Sequence, residues 1–230
     1  MTIRTFDWEA VRAGLDARGH AILPGLLPTA TCAELSDLYD DRDRFRSRVV
    51  MRRHGYGEGE YKYFAYPLPE PVQHLRTMLY PELAPLAAHW AERLGDQTTY
   101  PPTHADYLAA CHDAGQLRPT PLVLRYGPGD YNRLHQDLYG AIYFPIQLVV
   151  MLSDPRDYEG GEFVLTETRP RMQTRAEVLT LGQGDGLLFA VNRRPVVAKR
   201  GYSAVAIRHG VSTIRSGHRT TLGVIFHDAI

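Results

Sequence analysis

From Pro119 onward the chain breaks into short apolar runs separated by turn residues, and that rhythm constrains the fold more than any other feature. The runs are PLVLRY, IQLVVMLS, GEFVLTE, EVLTLG, GLLFAV, SAVAIRHGVS and TTLGVIFHD, punctuated by Gly-Pro-Gly, Asp-Pro, Gly-Gly and Gly-Gln-Gly-Asp. Val, Ile, Leu, Phe and Thr suit a pleated, half-buried surface. Many strands of this length with turn signals between them indicate a sandwich or barrel.

The first half reads differently. Asp7 is placed to cap a helix over DWEAVRAGLDARG that stops at Gly19, HAILPGLLP is a short strand and turn, and Thr29 or Thr31 can cap ATCAELSDLYD. PVQHLRTMLYPELAPLAAHWAERLG and PTHADYLAACHDAG read as helices interrupted by prolines. Residues 42–64 are basic, then rich in Gly and Tyr, and are expected to form an exposed loop or lid. The predicted fold is α+β. Residues 1–118 form a helical support with the lid segment, residues 119–230 form a jelly-roll (double-stranded β-helix) core, and the two make one structural domain.

Composition narrows the functions. The 26 basic residues balance 26 acidic ones and the pI is about 7.2, which is not the footprint of a dedicated nucleic-acid binder. No apolar run reaches about 18 residues, so no membrane span is expected. Cys32 and Cys111 are the only cysteines, too few for a disulfide framework, and the expected setting is a reducing cytoplasm.

Within the β region the stretch RYGPGDYNRLHQDLYG holds His135 and Asp137. In extended chain, residues i and i+2 share a face, so the pair can bind one ion together. Alone, such a pair also describes a solvated strand end. His209, in a later strand-like segment, supplies a second imidazole. Two histidines and a carboxylate make a facial triad that leaves three positions free on an octahedral ferrous ion, enough for a chelating cosubstrate and dioxygen. A 2-oxoacid that chelates through its keto acid end leaves a far carboxylate in need of a cation. Arg219 stands ten residues after His209 (219 − 209), a spacing that suits a tight turn and one further strand, and its planar fork grips carboxylates with two parallel bonds.

The order His135-x-Asp137, His209, Arg219 resembles the iron- and 2-oxoglutarate-dependent dioxygenases of the prolyl-hydroxylase-like type. ARGHAILPGLLPTATCAEL is similar to that family's N-terminal strand and helix, and GGEFVL and GQGDGLLFAV to its core strands. HQDLYG, GGEFVLTETRPRMQTRAEV and LGVIFHDA resemble, more closely, a bacterial group labelled as an oxygenase of damaged DNA.

The resemblance implies Fe(II) held by His135, Asp137 and His209, with 2-oxoglutarate and O2 as small-molecule cosubstrates. It implies coupled decarboxylation to succinate and CO2, and hydroxylation of a C–H bond. On an N-methyl group of alkylated DNA or RNA that outcome is demethylation. The alternative is hydroxylation of a protein or small molecule. A cupin-like metal protein without oxygenase activity would keep the triad and have no use for Arg219.

Tyr126, nine residues before His135, is expected to give its phenol to the oxoglutarate. Thr221 can touch the far carboxylate, as can Thr220. Tyr131, Asn132, Arg133 and Tyr139 are the expected substrate contacts, and Tyr139 shares the Asp137 face and can order that carboxylate instead. DNA-dealkylating enzymes carry Asn-x-Tyr before the first histidine and further arginines after the second. Here Leu124-Arg125-Tyr126 stands in the first place and Arg219 is the sole matching basic residue, which is the prolyl-hydroxylase pattern of anchoring.

Overall fold

A computed structural model describes residues 5–230. In chain order its main elements are α1 (Trp8–Arg18), β1 (His20–Leu23), α2 (Thr29–Asp37), β2 (Phe45–Val50), β3 (Gly57–Glu58), β4 (Glu60–Phe64), α3 (Glu70–Leu94), α4 (His104–Asp113), β5 (Leu122–Tyr126), β6 (Tyr131–His135), β7 (Ile146–Met151), β8 (Tyr158–Gly160), β9 (Phe163–Thr168), β10 (Arg175–Leu179), β11 (Gly186–Ala190), β12 (Arg193–Val197), β13 (Tyr202–Val211), β14 (Ile214–Gly217) and β15 (Arg219–Val224).

Two antiparallel sheets face each other. The larger has the order β1-β11-β7-β15-β5-β4-β2; the smaller has the order β10-β9-β13-β6-β3, with β12 also paired to β13. A third ribbon joins β8 to β14. Alternation along the strands divides the larger sheet cleanly. Val123, Leu148, Val150, Leu222 and Val224 point into the main hydrophobic core with Leu75, Leu79, Leu83 and Trp90 of α3. Leu122, Leu124, Tyr126, Val149, Arg219 and Thr221 point the other way and wall a cavity between the sheets. Period-two alternation thus gives each strand one face for stability and one for chemistry.

The helical expectations hold at α1, where the Asp7 side chain accepts from the Ala10 amide and Gly19 closes the helix in the left-handed region. At α2 no threonine caps; Pro28 precedes the first helical residue, Thr29. The expected interruption of α3 is corrected. The helix is continuous from Glu70 to Leu94 with Pro81 and Pro85 inside it. Each interior proline costs about 3 kcal/mol. Both prolines are exposed, four residues apart on the solvent face, so the carbonyls they leave unpaired meet water. Burying Leu75, Leu79, Leu83, Leu86 and Trp90 on the opposite face contributes roughly 2 kcal/mol per side chain, which exceeds the two penalties.

A second correction concerns residues 42–64. They contain β2 and β4, antiparallel to each other, and β4 pairs with β5 through Glu60↔Arg125, Tyr61↔Leu124, Lys62↔Val123 and Tyr63↔Leu122. The segment continues the larger sheet. With β1 it supplies three of that sheet's seven strands, so the change in sequence pattern at 118/119 runs through the sheet and does not divide helices from strands. Only residues 51–58, between β2 and β4, stand out as a connecting loop, with β3 at its end.

Candidate metal centre

His135 is the last residue of β6, and His209 faces it across the ladder with β13. Asp137 follows two residues on, in the irregular run that leads to β7. The His135 Nε2 lies 3.4 Å from Asp137 Oδ1 and the His209 Nε2 lies 3.4 Å from Asp137 Oδ2. One ligand atom from each of the three lies within 4.8 Å of the others.

A bulge builds this convergence. Between the pairs His209↔His135 and Val211↔Asn132, β6 runs three residues while β13 runs two. The extra residue resets the alternation, so Asn132 and His135 both face the cavity. Gly210 sits inside the bulge, where a Cβ would lie 2.7 Å from the Asn132 carbonyl oxygen. Only glycine lets the strands approach this closely.

Neighbouring groups orient the three side chains. The His135 Nδ1 donates to the Arg133 carbonyl at 2.8 Å; a carbonyl can only accept, so Nδ1 carries the proton and the Nε2 lone pair is aimed at the site. The Tyr139 hydroxyl donates to Asp137 Oδ1 at 2.8 Å. His209 is 7% exposed at its side chain and lies between Phe163, stacked at 5.7 Å, and Phe189 at 4.6 Å.

Burial opposes the Asp137 charge, but the hydrogen bonds and charges of the two histidines hold its carboxyl well below the usual range. Burial pulls His135 down, and Asp137 outweighs it and leaves His135 raised; His209 stays lowered by burial and by His135. One ionised carboxylate and two imidazoles suit a divalent first-row cation and leave room for further ligands.

The triad opens on a cavity of about 430 Å³. Arg219 lies in its wall, 1% exposed, with Nε and Nη1 lacking any hydrogen-bond partner. It is the one Lys or Arg lining the cavity among the described residues. Its register partner on β5 is Tyr126, whose ring lies 5.8 Å from the guanidinium carbon and whose buried hydroxyl is also unpartnered. Burial lowers the Arg219 pKa and raises that of Tyr126. Gly161 packs against this arginine; a Cβ there would lie 2.8 Å from its Cδ.

The structure therefore brings together His135, Asp137, His209, Arg219, Tyr126, Thr221, Asn132 and Tyr139. It does not bring Tyr131 or Arg133 into the cavity; the Arg133 guanidinium reaches the Tyr131 hydroxyl at 3.4 Å on the outer side of β6. Thr220 faces away from Thr221, His218 is exposed, and the His227 Nδ1 accepts the Phe144 amide. Sequence reasoning missed Phe163 and Phe189 around His209, and Gln147. Gln147 lines the cavity from the run IQLVVM, where it is the single polar residue, and that isolation was the available signal.

Residues 59–229 match the model of the Oxygenase-NA family, described as an oxygenase catalysing oxidative methylation of damaged DNA. Uncharacterized proteins of two Mycobacterium tuberculosis strains, CDC 1551 and H37Rv, are 52% identical over 167 residues, covering 72% of this chain and 72% of theirs. Among solved structures, a Pseudomonas putida prolyl-4-hydroxylase superposes with a TM-score of 0.55 at 14% identity, over 97% of this chain and 99% of its own. A Burkholderia pseudomallei oxidoreductase of the 2OG-Fe(II) oxygenase family gives 0.54 at 17% identity, over 100% and 96%. At such identities the likeness is one of fold, and it is the expected jelly roll. With three quarters of its length under one family model and a fold shared with 2-oxoglutarate-Fe(II) oxygenases, the chain belongs to the Oxygenase-NA family of oxidoreductases.

Proposed function

We propose that this chain holds Fe(II) with His135, Asp137 and His209, anchors 2-oxoglutarate on Arg219, and hydroxylates a C–H bond of an N-alkylated base in single-stranded nucleic acid. The observation that carries the reading is Arg219: a buried guanidinium with two unpaired nitrogens, in the wall of the cavity that holds the triad. A buried cation with two unpaired nitrogens and no carboxylate hydrogen-bonded to it is costly, although Tyr158 and Glu162 lie near enough to favour its charge, and a ligand carboxylate offsets the cost. The orphaned Tyr126 hydroxyl beside it fits the same carboxylate. The donor set of the triad fits iron, with positions left for a chelator.

When bound, Fe(II) and 2-oxoglutarate supply the oxidising power, with dioxygen consumed and succinate and CO2 released. The protein's own part is orientation. Arg219, Tyr126 and Thr221 fix the far end of the cosubstrate. The Tyr139 hydroxyl holds Oδ1 of Asp137, which leaves Oδ2 as the freer oxygen. Phe163 and Phe189 lock the His209 ring and keep water from that side. The mouth carries Tyr56, 49% exposed and stacked at 5.3 Å on His54, and Leu138, 46% exposed. An exposed aromatic pair at the rim can take a base by stacking. A hydroxylated N-methyl group collapses to formaldehyde and the free amine, which is repair of the lesion. The family description points to damaged DNA as well.

A second reading, hydroxylation of a peptide, is favoured by one finding. The basic stretch is less available than its sequence suggests: Arg48 pairs with Glu60, Arg44 with Asp41, and the Arg46 Nε donates to the Pro119 carbonyl. The test is anaerobic loading with Fe(II) and 2-oxoglutarate, then succinate and formaldehyde measurement over methylated oligonucleotides and peptides. Turnover with oligonucleotides is expected, and Asp137→Ala should abolish it. Full iron uptake and turnover in both Asp137→Ala and His209→Ala would overturn the assignment.

A further inference from the structure

Gln147 is an anomaly in the wall of the cavity. It stands in β7 among Ile, Leu, Val and Met, is 6% exposed, and its Oε1 has no hydrogen-bond partner. A carboxamide stranded in an apolar strand is unfavourable unless something supplies the missing bond. Its position limits what that can be. Gln147 pairs across the ladder with Phe189, whose ring lies 4.6 Å from that of His209. Arg219 lies at the other end: Val149 pairs with Gly223, and Gln147 is two residues farther along. Six residues of strand separate the two levels, about 20 Å at the usual rise per residue. The cosubstrate is held at the Arg219 end, so Gln147 lies at the level of the metal ligand His209, away from that end.

The chemistry limits it further. An amide oxygen needs an N–H or O–H donor, whichever way the carboxamide is turned. Ionised 2-oxoglutarate and dioxygen offer only acceptors. The donor that completes Gln147 is therefore water in the resting cavity, or the substrate group that displaces it.

We propose that Gln147 is a specificity-determining residue that accepts a hydrogen bond from an exocyclic amine next to the methylated ring nitrogen of the target base. This rests on the nucleic-acid dioxygenase reading and deepens it. In N1-methyladenine and N3-methylcytosine an amine lies beside the methylated nitrogen. In N3-methylthymine both neighbours are carbonyls, and the Gln147 oxygen stays unpaired. A site built around a donor disfavours an analogue that lacks it.

The experiment uses the full chain loaded anaerobically with Fe(II) and 2-oxoglutarate. Fluorescein-labelled single-stranded oligonucleotides carry one N1-methyladenine, N3-methylcytosine or N3-methylthymine, and anisotropy gives their affinities for wild type and Gln147→Met. Wild type should bind the two amine-bearing bases about 10- to 100-fold more tightly than methylthymine. Gln147→Met should lose that preference, bind methylthymine as wild type does, keep its iron and 2-oxoglutarate uptake, and melt no lower than wild type. A merely structural glutamine would lower the melting temperature on replacement and leave the preference intact. No preference in wild type, an intact preference in Gln147→Met, or no oligonucleotide binding would each overturn the proposal. Failure of wild type to take up iron and 2-oxoglutarate would instead sink the dioxygenase reading beneath it.

Discussion

Replacing Arg219 with methionine separates the cost of burying a cation from the use the protein makes of it. Methionine fills a similar volume along Gly161 and Tyr126 and brings no charge. In the cosubstrate-free protein the Nε and Nη1 of Arg219 have no partners and the residue is 1% exposed. An unsatisfied buried donor costs about 1–3 kcal/mol, and a charge more. Its contact with the Tyr126 ring, at 5.8 Å, returns about 1 kcal/mol. Arg219→Met should therefore stabilise the free protein by about 1–2 kcal/mol, which for a domain of this size raises the melting temperature by roughly 2–8 °C. The cosubstrate arm runs the opposite way. A carboxylate left without its bidentate partner loses about 2–4 kcal/mol, roughly 30- to 1000-fold in affinity. Thermal melts without and with 2-oxoglutarate read both arms in one instrument. Wild type should gain stability on titration and the variant should not. A variant that melts well below wild type when free, yet titrates with unchanged 2-oxoglutarate affinity, would refute both halves of the reasoning.

Tyr139→Phe removes the hydroxyl donor to Asp137 Oδ1 and keeps the ring; Fe(II) affinity should fall about 10- to 100-fold, checked by anaerobic titration. His104 is neutral in the fold, its pKa lowered from 6.5 to about 4 by burial and then by the charge of Arg76. Its contribution is complete above pH 6.5 and is lost as pH falls through about 4, a difference of on the order of 3 kcal/mol (6.5 − 4, at 1.36 per unit). Denaturant melts across that window should show the loss, and His104→Gln should flatten the curve. Tyr56→Ala should cost about 1–3 kcal/mol in oligonucleotide binding by anisotropy, and Arg53→Ala should lessen the salt dependence.

The strands of the jelly roll were legible because each buries one face, and burial writes itself as apolar runs between turns. The triad was legible because His135 and Asp137 are two residues apart and strand geometry does the rest. Other features lay beyond local pattern. The strand β12 carries Pro195, which reads as a breaker, yet β12 pairs only with β13 and tolerates a missing donor on its free edge. The α3 prolines read as stops because nothing local shows how much apolar surface the helix covers. The bulge that turns Asn132 inward depends on two strands about 75 residues apart, and one strand's alternation cannot report it. Tyr131 and Arg133 were placed in the substrate mouth by nearness in sequence; the pleat sends them outside. The buried pair Arg76–Asp228, at 2.9 Å, ties α3 to the chain after β15 and has no signature in either segment alone.

The ladder between β4 and β5 also bears on how a substrate gets in. A lid is a segment whose opening breaks few bonds, so its amides trade hydrogen with solvent almost as fast as those of a free chain. Glu60–Phe64 cannot behave that way. Its amides are held between two neighbouring strands, β2 and β5, and releasing them means breaking the ladders on both sides of β4. Tyr61 is thus a fixed surface against which a substrate must fit. The adaptable side of the mouth is the irregular run from Gln136 to Pro145, the same run that carries Asp137. Whatever shifts that run to admit a substrate also shifts a metal ligand, so amide exchange there should slow when iron binds while the Glu60–Phe64 strand remains as protected as before.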